Sequence, residues 1–276
     1  MVKFVCDSSC DMLTMPGVCF EAVPLTISTE ERRFVDDASL DLDDMLDYLA
    51  AYKGRSYSAC PGIGDWLKAY SGADTVYAAV LTGTLSGAYN AAVAAKKLYE
   101  HAHPRARVHV FNTLTTGPEL RLFMEKLVEL HESGLTFDEV AAQAEAYLRT
   151  TRLFFSFQSL HNFAQNGRVS KAAAAACGVL NIRVVGTAGE DGTVKPLAKV
   201  RGDRKALAEL YRYLEAMAFQ KGKLRIGHTR NPALAEQFRA GAAERYPEAD
   251  IRVYAARGLC SYYGESGALF FAAESR

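Results

Sequence analysis

Val76-Tyr77-Ala78-Ala79-Val80-Leu81-Thr82-Gly83-Thr84-Leu85-Ser86-Gly87-Ala88-Tyr89-Asn90 decides how the rest of the chain is read. Val76–Leu81 is a short apolar run with β-branched and aromatic residues, the pattern of a strand. Hydroxyls and glycines follow at once, and Ala91–Leu98 continues as a helix. The end of a parallel strand and the positive end of a helix therefore coincide, so backbone N–H groups and Ser86 can bind an anion there. Simple capping of the helix by Ser86 or Thr84 accounts for the same residues.

Working outward, Lys3–Cys6 and Val108–Phe111 read as further strands. Helical periodicity fills Leu42–Tyr52, Gly87–Tyr99, Glu119–Leu130 and Phe137–Arg149. Strands alternating with helices imply a parallel α/β sheet, and this first domain is expected to span residues 1–150. Beyond it, Leu153–Phe157 reads as a strand, and Arg183–Val185 and Val194–Val200 flank Gly189-Glu190-Asp191-Gly192 in the manner of a β-hairpin. A helix at Lys205–Phe219, a strand at Lys223–His228, a helix at Ala233–Tyr246 and a strand at Asp250–Tyr254 complete a mixed order. The expected fold is α/β with two domains, a parallel-sheet N-terminal domain and a smaller mixed α/β C-terminal domain over 151–276. The Ala172–Ala176 run suits close helix packing.

With 276 residues, 49% hydrophobic and 23% charged, the chain can bury large cores and is not disordered. Lys+Arg 32 balance Asp+Glu 32, so no net field draws it to nucleic acid or to an acidic membrane. The N-terminal segment reaches Asp7 too soon for a signal peptide, and no stretch is long and uncharged enough to span a bilayer. A cytoplasmic protein without stable membrane insertion is expected, with a small neutral or singly charged partner.

The six cysteines, Cys6, Cys10, Cys19, Cys60, Cys177 and Cys260, form no CxxC pair and have no histidines at zinc-finger spacing. Buried or idle thiols are the default, and no metal site is expected. Gly62-Ile63-Gly64-Asp65-Trp66-Leu67 lacks the third glycine of a dinucleotide loop, Gly222-Lys223 lacks the upstream glycine of a P-loop, and neither Ser86 nor Ser266 sits in G-x-S-x-G. None of the six histidines lies in a motif that would make it a general base. No catalytic residue is assigned.

Two more hydroxyl turns stand beside the first. Tyr57-Ser58-Ala59-Cys60-Pro61-Gly62 precedes a helix at Asp65–Tyr70, and Asp7-Ser8-Ser9-Cys10-Asp11 follows the first strand. Three such loops at one sheet edge converge, although ordinary turn chemistry explains each separately. In the second half, Asn166-Gly167-Arg168-Val169-Ser170 and Lys199-Val200-Arg201-Gly202 set arginines beside flexible backbone, which suits carboxylate or phosphate recognition by the guanidinium fork. Solvated arginines are the commoner case.

Taken together these motifs resemble the DegV family, over nearly the whole chain. Asp7-Ser8-Ser9-Cys10-Asp11 is similar to the family's opening D-S-x-x-D and Val23-Pro24-Leu25-Thr26-Ile27 to its V-P-L-x-I. Ser58-Ala59-Cys60-Pro61 stands where members carry T-S-Q-P, and Leu85-Ser86-Gly87-Ala88-Tyr89 where they carry L-S-G-T-Y. Asn166-Gly167-Arg168-Val169-Ser170 resembles G-G-R-I-S, and Val200-Arg201-Gly202 resembles V-R-G. The resemblance implies two α/β domains with a long-chain fatty acid between them and no other cofactor. It places the carboxylate on Ser58 and on Ser86 in its Ser86-Gly87 turn, and puts Arg168 and Arg201 in the head-group region or on a surface that meets a kinase. The implied function is that of a non-catalytic bacterial carrier, which presents fatty acid to a separate fatty acid kinase for acyl-phosphate formation.

The sequence departs from that pattern at Cys60, Ala88 and Asn112-Thr113, and Tyr263-Gly264-Glu265-Ser266-Gly267 replaces H-x-G-P-G. Tyr263 is then expected to take the hydrogen bonding of the family histidine. Two rivals stay open: a small-molecule enzyme on the same scaffold with Ser86 or Ser58 as nucleophile, and a binder of another apolar acid.

Overall fold

The computed structural model describes residues 1–175 and 181–274; Ala176, at the end of the alanine run, and Cys177 lie outside them. Strands Phe20–Val23, Val2–Asp7, Thr75–Val80 and Arg107–Asn112 lie side by side in that order, all parallel. Helices expected from periodicity pack with this sheet: Ala88–Ala102 connects its last two strands in chain order, and Gly117–Glu132 follows the last of them. Trp66, Tyr70, Tyr77, Phe111 and Phe123 fill the core on this sheet. Thr136 and Glu139 form a capping box that fixes the start of Phe137–Tyr147.

A second sheet runs Val194–Arg201, Ile182–Ala188, Thr151–Phe157, Leu269–Glu274, Gly222–His228, Ala249–Ala255. All its pairs are antiparallel except the last, so the mixed order read from the sequence holds. The expected hairpin is present, with a register shift between Pro196 and Ala198. Successive side chains of a strand face opposite sides, and Thr151–Phe157 uses both. Phe154 packs under Asp203–Ala216 and Pro232–Arg245 with Leu210, Phe238 and Phe271, while Leu153, Phe155 and Phe157 face the other way.

Helix Gly117–Glu132 is the layer between the sheets. Leu120, Phe123, Met124 and Leu127 bury on the first core. Its opposite face presents Glu125 to Arg225, a fully buried guanidinium whose Nη2 also reaches Asp250 at 2.7 Å. Glu119 accepts from Thr115 at 2.5 Å and from Thr151 at 2.7 Å. Removing Glu125 leaves the buried Arg225 guanidinium with Asp250, a half-exposed carboxylate, as its remaining ion-pair partner, and taking a partner from a buried charge is costly.

The sequence reading left out strands Phe20–Val23, Thr26–Ser28 and Arg33–Val35 and the short helices His161–Gln165 and Gly258–Gly264, and two further elements depart from it. Tyr57–Ala59, taken as a turn, is an edge strand of a small antiparallel sheet with Thr26–Ser28 and Arg33–Val35. Leu269–Glu274, unread as a strand, sits near the centre of the second sheet, because a short apolar run buried on both faces has no alternation to give it away.

Candidate ligand-binding site

A cavity of about 330 Å³ runs between the strand ends of the first sheet and the inner face of the second, within the usual size range of small-molecule sites. Its wall is mostly apolar. Leu153, Phe155 and Phe157 supply one side from alternate positions of a single strand, and Phe270 comes from the neighbouring strand. Leu25, Leu81, Leu85 and Leu259 face them. The hairpin turn closes part of the rim: Thr84 Oγ1 donates to the Asp191 carbonyl at 2.6 Å, and Gly192, with φ of +77°, lies so close to Thr82 that a Cβ there would collide with it.

Polar groups gather at one mouth. Ser58 Oγ and the Tyr263 hydroxyl are 2.7 Å apart, and both residues line the cavity with Ser86, Gly87 and Arg168. The small sheet aims Ser58, which pairs with Ile27. Ser86 Oγ accepts the Ala88 N–H at 3.2 Å at the start of helix Ala88–Ala102. That leaves the hydroxyl proton free to donate, so capping and ligand contact do not exclude each other. At Gly87 a Cβ would stand 3.3 Å from Cys60 Sγ, so the bare backbone lets the two hydroxyl loops close on one another. Arg168 is oriented by Nε donating to the Leu85 carbonyl at 3.2 Å and Nη1 to the Asn166 carbonyl at 2.6 Å.

Tyr263 packs against Phe163 with ring centroids 4.6 Å apart and the planes tilted by 34°. Burial pushes its phenol upward, opposed by the Ser58 hydrogen bond and the Arg168 charge, so it remains a neutral donor at physiological pH. Tyr262 reinforces the arrangement: its hydroxyl is 2.9 Å from Ser56 Oγ and accepts from Asn166 Nδ2 at 2.8 Å. The site thus ties strand Tyr57–Ala59, helix His161–Gln165 with its Asn166 end, and helix Gly258–Gly264 into one mouth.

Five of the six residues singled out from sequence, Ser58, Ser86, Gly87, Arg168 and Tyr263, line this one cavity. Arg201 does not. It ends strand Val194–Arg201 beside Ile182, exposed and outside the lining. The convergence expected of three hydroxyl loops is reduced to two, because Asp7–Asp11 is buried and its side chains are engaged with the protein's own groups. Sequence reasoning missed the apolar wall, Phe163 and Thr116. The alternation in Leu153–Phe157 was the one available signal, and it cannot say which face meets a cavity. None of the six histidines lines the cavity.

The class defined by this geometry is an α/β protein of two main sheets and a small third one, with an apolar slot capped by hydroxyls and a guanidinium. The chain belongs to the DegV family, whose model, described as "Uncharacterised protein, DegV family", matches residues 1–275. A DegV domain-containing protein of Streptococcus pneumoniae is 39% identical over 276 residues, covering 99% of this chain and 98% of the relative. Among solved structures, a DegV family protein from Eubacterium eligens loaded with heptadecanoic acid is 45% identical with a TM-score of 0.98, covering 100% of both chains. The Streptococcus pneumoniae Fatty Acid Kinase (Fak) B3 protein loaded with linoleic acid is 38% identical with a TM-score of 0.97, covering 100% of this chain and 99% of that one.

Proposed function

We propose that this chain is a non-catalytic fatty-acid-binding protein, which holds one long-chain fatty acid and presents it to a separate kinase subunit for acyl-phosphate formation in the bacterial cytoplasm. The observation that carries the reading is one cavity, apolar along most of its wall, with Ser58, Ser86, Arg168 and Tyr263 gathered at a single mouth. An amphiphile with one anionic end and a long apolar tail matches that distribution. Relatives with 45% and 38% identity are loaded with heptadecanoic and linoleic acid, which supports the ligand class, and the second one's name supports the kinase partner. The division into units 1–150 and 151–276, with the ligand between them, is part of the proposal and accords with two sheets joined through helix Gly117–Glu132.

Energetics favour retention. A palmitate-length tail gains gross transfer energy of about 10 kcal/mol at about 0.8 kcal/mol per buried CH₂, from which association and ordering costs subtract. A serine-nucleophile enzyme needs a base, and no histidine faces either serine from the cavity wall. Denaturing protein purified from a bacterial host and analysing the released small molecules by mass spectrometry tests the proposal. About one equivalent of fatty acid is expected. Recovery of only a nucleotide or sugar phosphate overturns it.

A further inference from the structure

Helix Gly258–Gly264 carries both tyrosines of the mouth, yet it has only seven residues, too few to be stable by local helix energetics. What holds it lies at its start. Asp36 accepts the Gly258 N–H through Oδ1 and the Leu259 N–H through Oδ2, each at 2.9 Å, and Asp11 Oδ1 accepts the Arg257 N–H at 2.7 Å. These are donors of the kind a helix start leaves unpaired, and the N-cap residue Arg257 makes no side-chain cap of its own.

Both carboxylates come from the other end of the chain, where they are fixed in turn. Asp36 N–H donates to the Leu25 carbonyl and Asp11 N–H to the Ser8 carbonyl. Asp36 is 1% exposed and Asp11 6%. The approach requires a bare backbone, since a Cβ on Gly258 would stand 2.7 Å from Asp36 Cγ. Tyr263 follows Gly258 by about 7.5 Å of helix rise, so rotation or translation at the gripped end is carried rigidly to the phenol beside Ser58.

We propose that Asp36 and Asp11 are positioning residues for the mouth: by gripping the start of helix Gly258–Gly264, Asp36 from the end of the small sheet's strand Arg33–Val35 and Asp11 from the loop after Val2–Asp7, they set where Tyr263 meets Ser58. The inference rests on the head-group reading of that pair. A positioning residue cannot cost more affinity than the group it positions contributes, and that ceiling supplies the test.

Palmitate labelled isotopically at its carboxyl carbon is bound to the native full chain, to Asp36→Asn, to Tyr263→Phe and to the double variant. Affinity and the carboxyl resonance are measured for each, with folding checked by thermal unfolding. Each single variant should weaken binding about fivefold, the loss of one hydrogen bond of ordinary strength. The double variant should be no more than about twofold weaker than Tyr263→Phe, because the two act through one contact. The resonance in Asp36→Asn should move toward its position in Tyr263→Phe. Losses that multiply in the double variant, or an unmoved resonance, reduce Asp36 to a structural cap and overturn the proposal. If Asp36→Asn does not fold, Asp11→Ala takes its place in the same cycle with the same two outcomes. Native affinity in Tyr263→Phe overturns the head-group reading itself, a failure distinct from multiplying losses.

Discussion

Two loops of similar composition end neighbouring parallel strands and have opposite fates. Asp7-Ser8-Ser9-Cys10-Asp11 turns inward: Asp7 Oδ1 accepts the Ser9 N–H at 3.0 Å and its hydroxyl at 2.5 Å, Asp7 Oδ2 accepts the Leu81 N–H at 2.6 Å, and Ser8 Oγ accepts the Leu25 N–H at 3.0 Å. Thr82-Gly83-Thr84-Leu85-Ser86-Gly87 stands at the cavity, and Ser86 accepts a single local N–H. Hydroxyls at a strand end are therefore ambiguous until their backbone surroundings are known. Where buried N–H groups lack partners the side chains are drawn into satisfying them, and where the backbone is already served they remain available to a ligand.

The sharpest break of this comparison is Asp7→Ala. It strands the Leu81 and Ser9 N–H groups in the interior, at a cost of about 4 kcal/mol for two unsatisfied buried donors. A large drop in melting temperature is expected, with palmitate affinity of the remaining folded protein close to native. Specific loss of affinity at unchanged stability would place the first loop in the site and erase the contrast.

A second test uses the charge held in the first loop. Burial pushes the Asp11 carboxyl up to about 7 and that of Asp7 to about 6, from an ordinary 3.8. Between these limits the folded chain keeps protons that the unfolded chain has lost, so the contribution of each group is fully present below about pH 4 and is lost as the pH rises through its raised value. Asp11→Asn removes the titration at that position. Relative to native protein the variant should therefore gain stability as the pH rises from about 4.5 to 7.5, on the order of 3 kcal/mol in all. Denaturant unfolding at several pH values measures the difference, and parallel curves would mean that Asp11 is hydrated in solution.

Ser86→Ala probes the other loop and should show the reverse of Asp7→Ala. Affinity for palmitate is expected to fall by about 2 kcal/mol, the loss of a hydrogen bond to a charged group, with the melting temperature nearly unchanged. A fall in stability with affinity retained would make Ser86 a helix cap and nothing more.

How much of this was legible in the sequence follows from the same physics. Three of the four strands of the first sheet could be read because strongly periodic helices stand between them, whereas Phe20–Val23, joined to Val2–Asp7 without an α-helix, went unread. The hairpin could be read because Gly189-Glu190-Asp191-Gly192 interrupts two extended runs. Leu269–Glu274 could not, since a strand buried on both faces carries no alternation. In the site, residue types at strand ends pointed to Ser58 and Ser86, but family motifs were needed to bring Arg168 and Tyr263 to them from more than eighty residues away. No local pattern encodes a contact such as Ser58 with Tyr263, separated by 205 positions. The inward turn of Asp7–Asp11 escaped notice for a related reason: its partners, Leu25 and Leu81, supply backbone N–H groups, which every residue but proline has and which therefore leave no mark in sequence.

The smallest expected effect concerns the two arginines that sequence treated alike. Arg168 is fixed at the mouth by two carbonyls, whereas Arg201 projects from the last position of an edge strand, exposed and away from the cavity wall. An exposed guanidinium interacts with a distant carboxylate through water and salt, which leaves little net energy. Arg201→Ala should accordingly change palmitate affinity by no more than about twofold. If the arginine serves a surface that meets the kinase, the same substitution should lower the rate at which a cognate fatty acid kinase phosphorylates the bound fatty acid, with a salt-dependent deficit because exposed charges act chiefly on encounter. Measuring affinity and phosphorylation on one preparation separates the outcomes. A tenfold loss of affinity would bring Arg201 into the mouth and remove its contrast with Arg168, whereas two unchanged values would leave it a solvated charge on an edge strand, where such residues guard against edge-to-edge pairing.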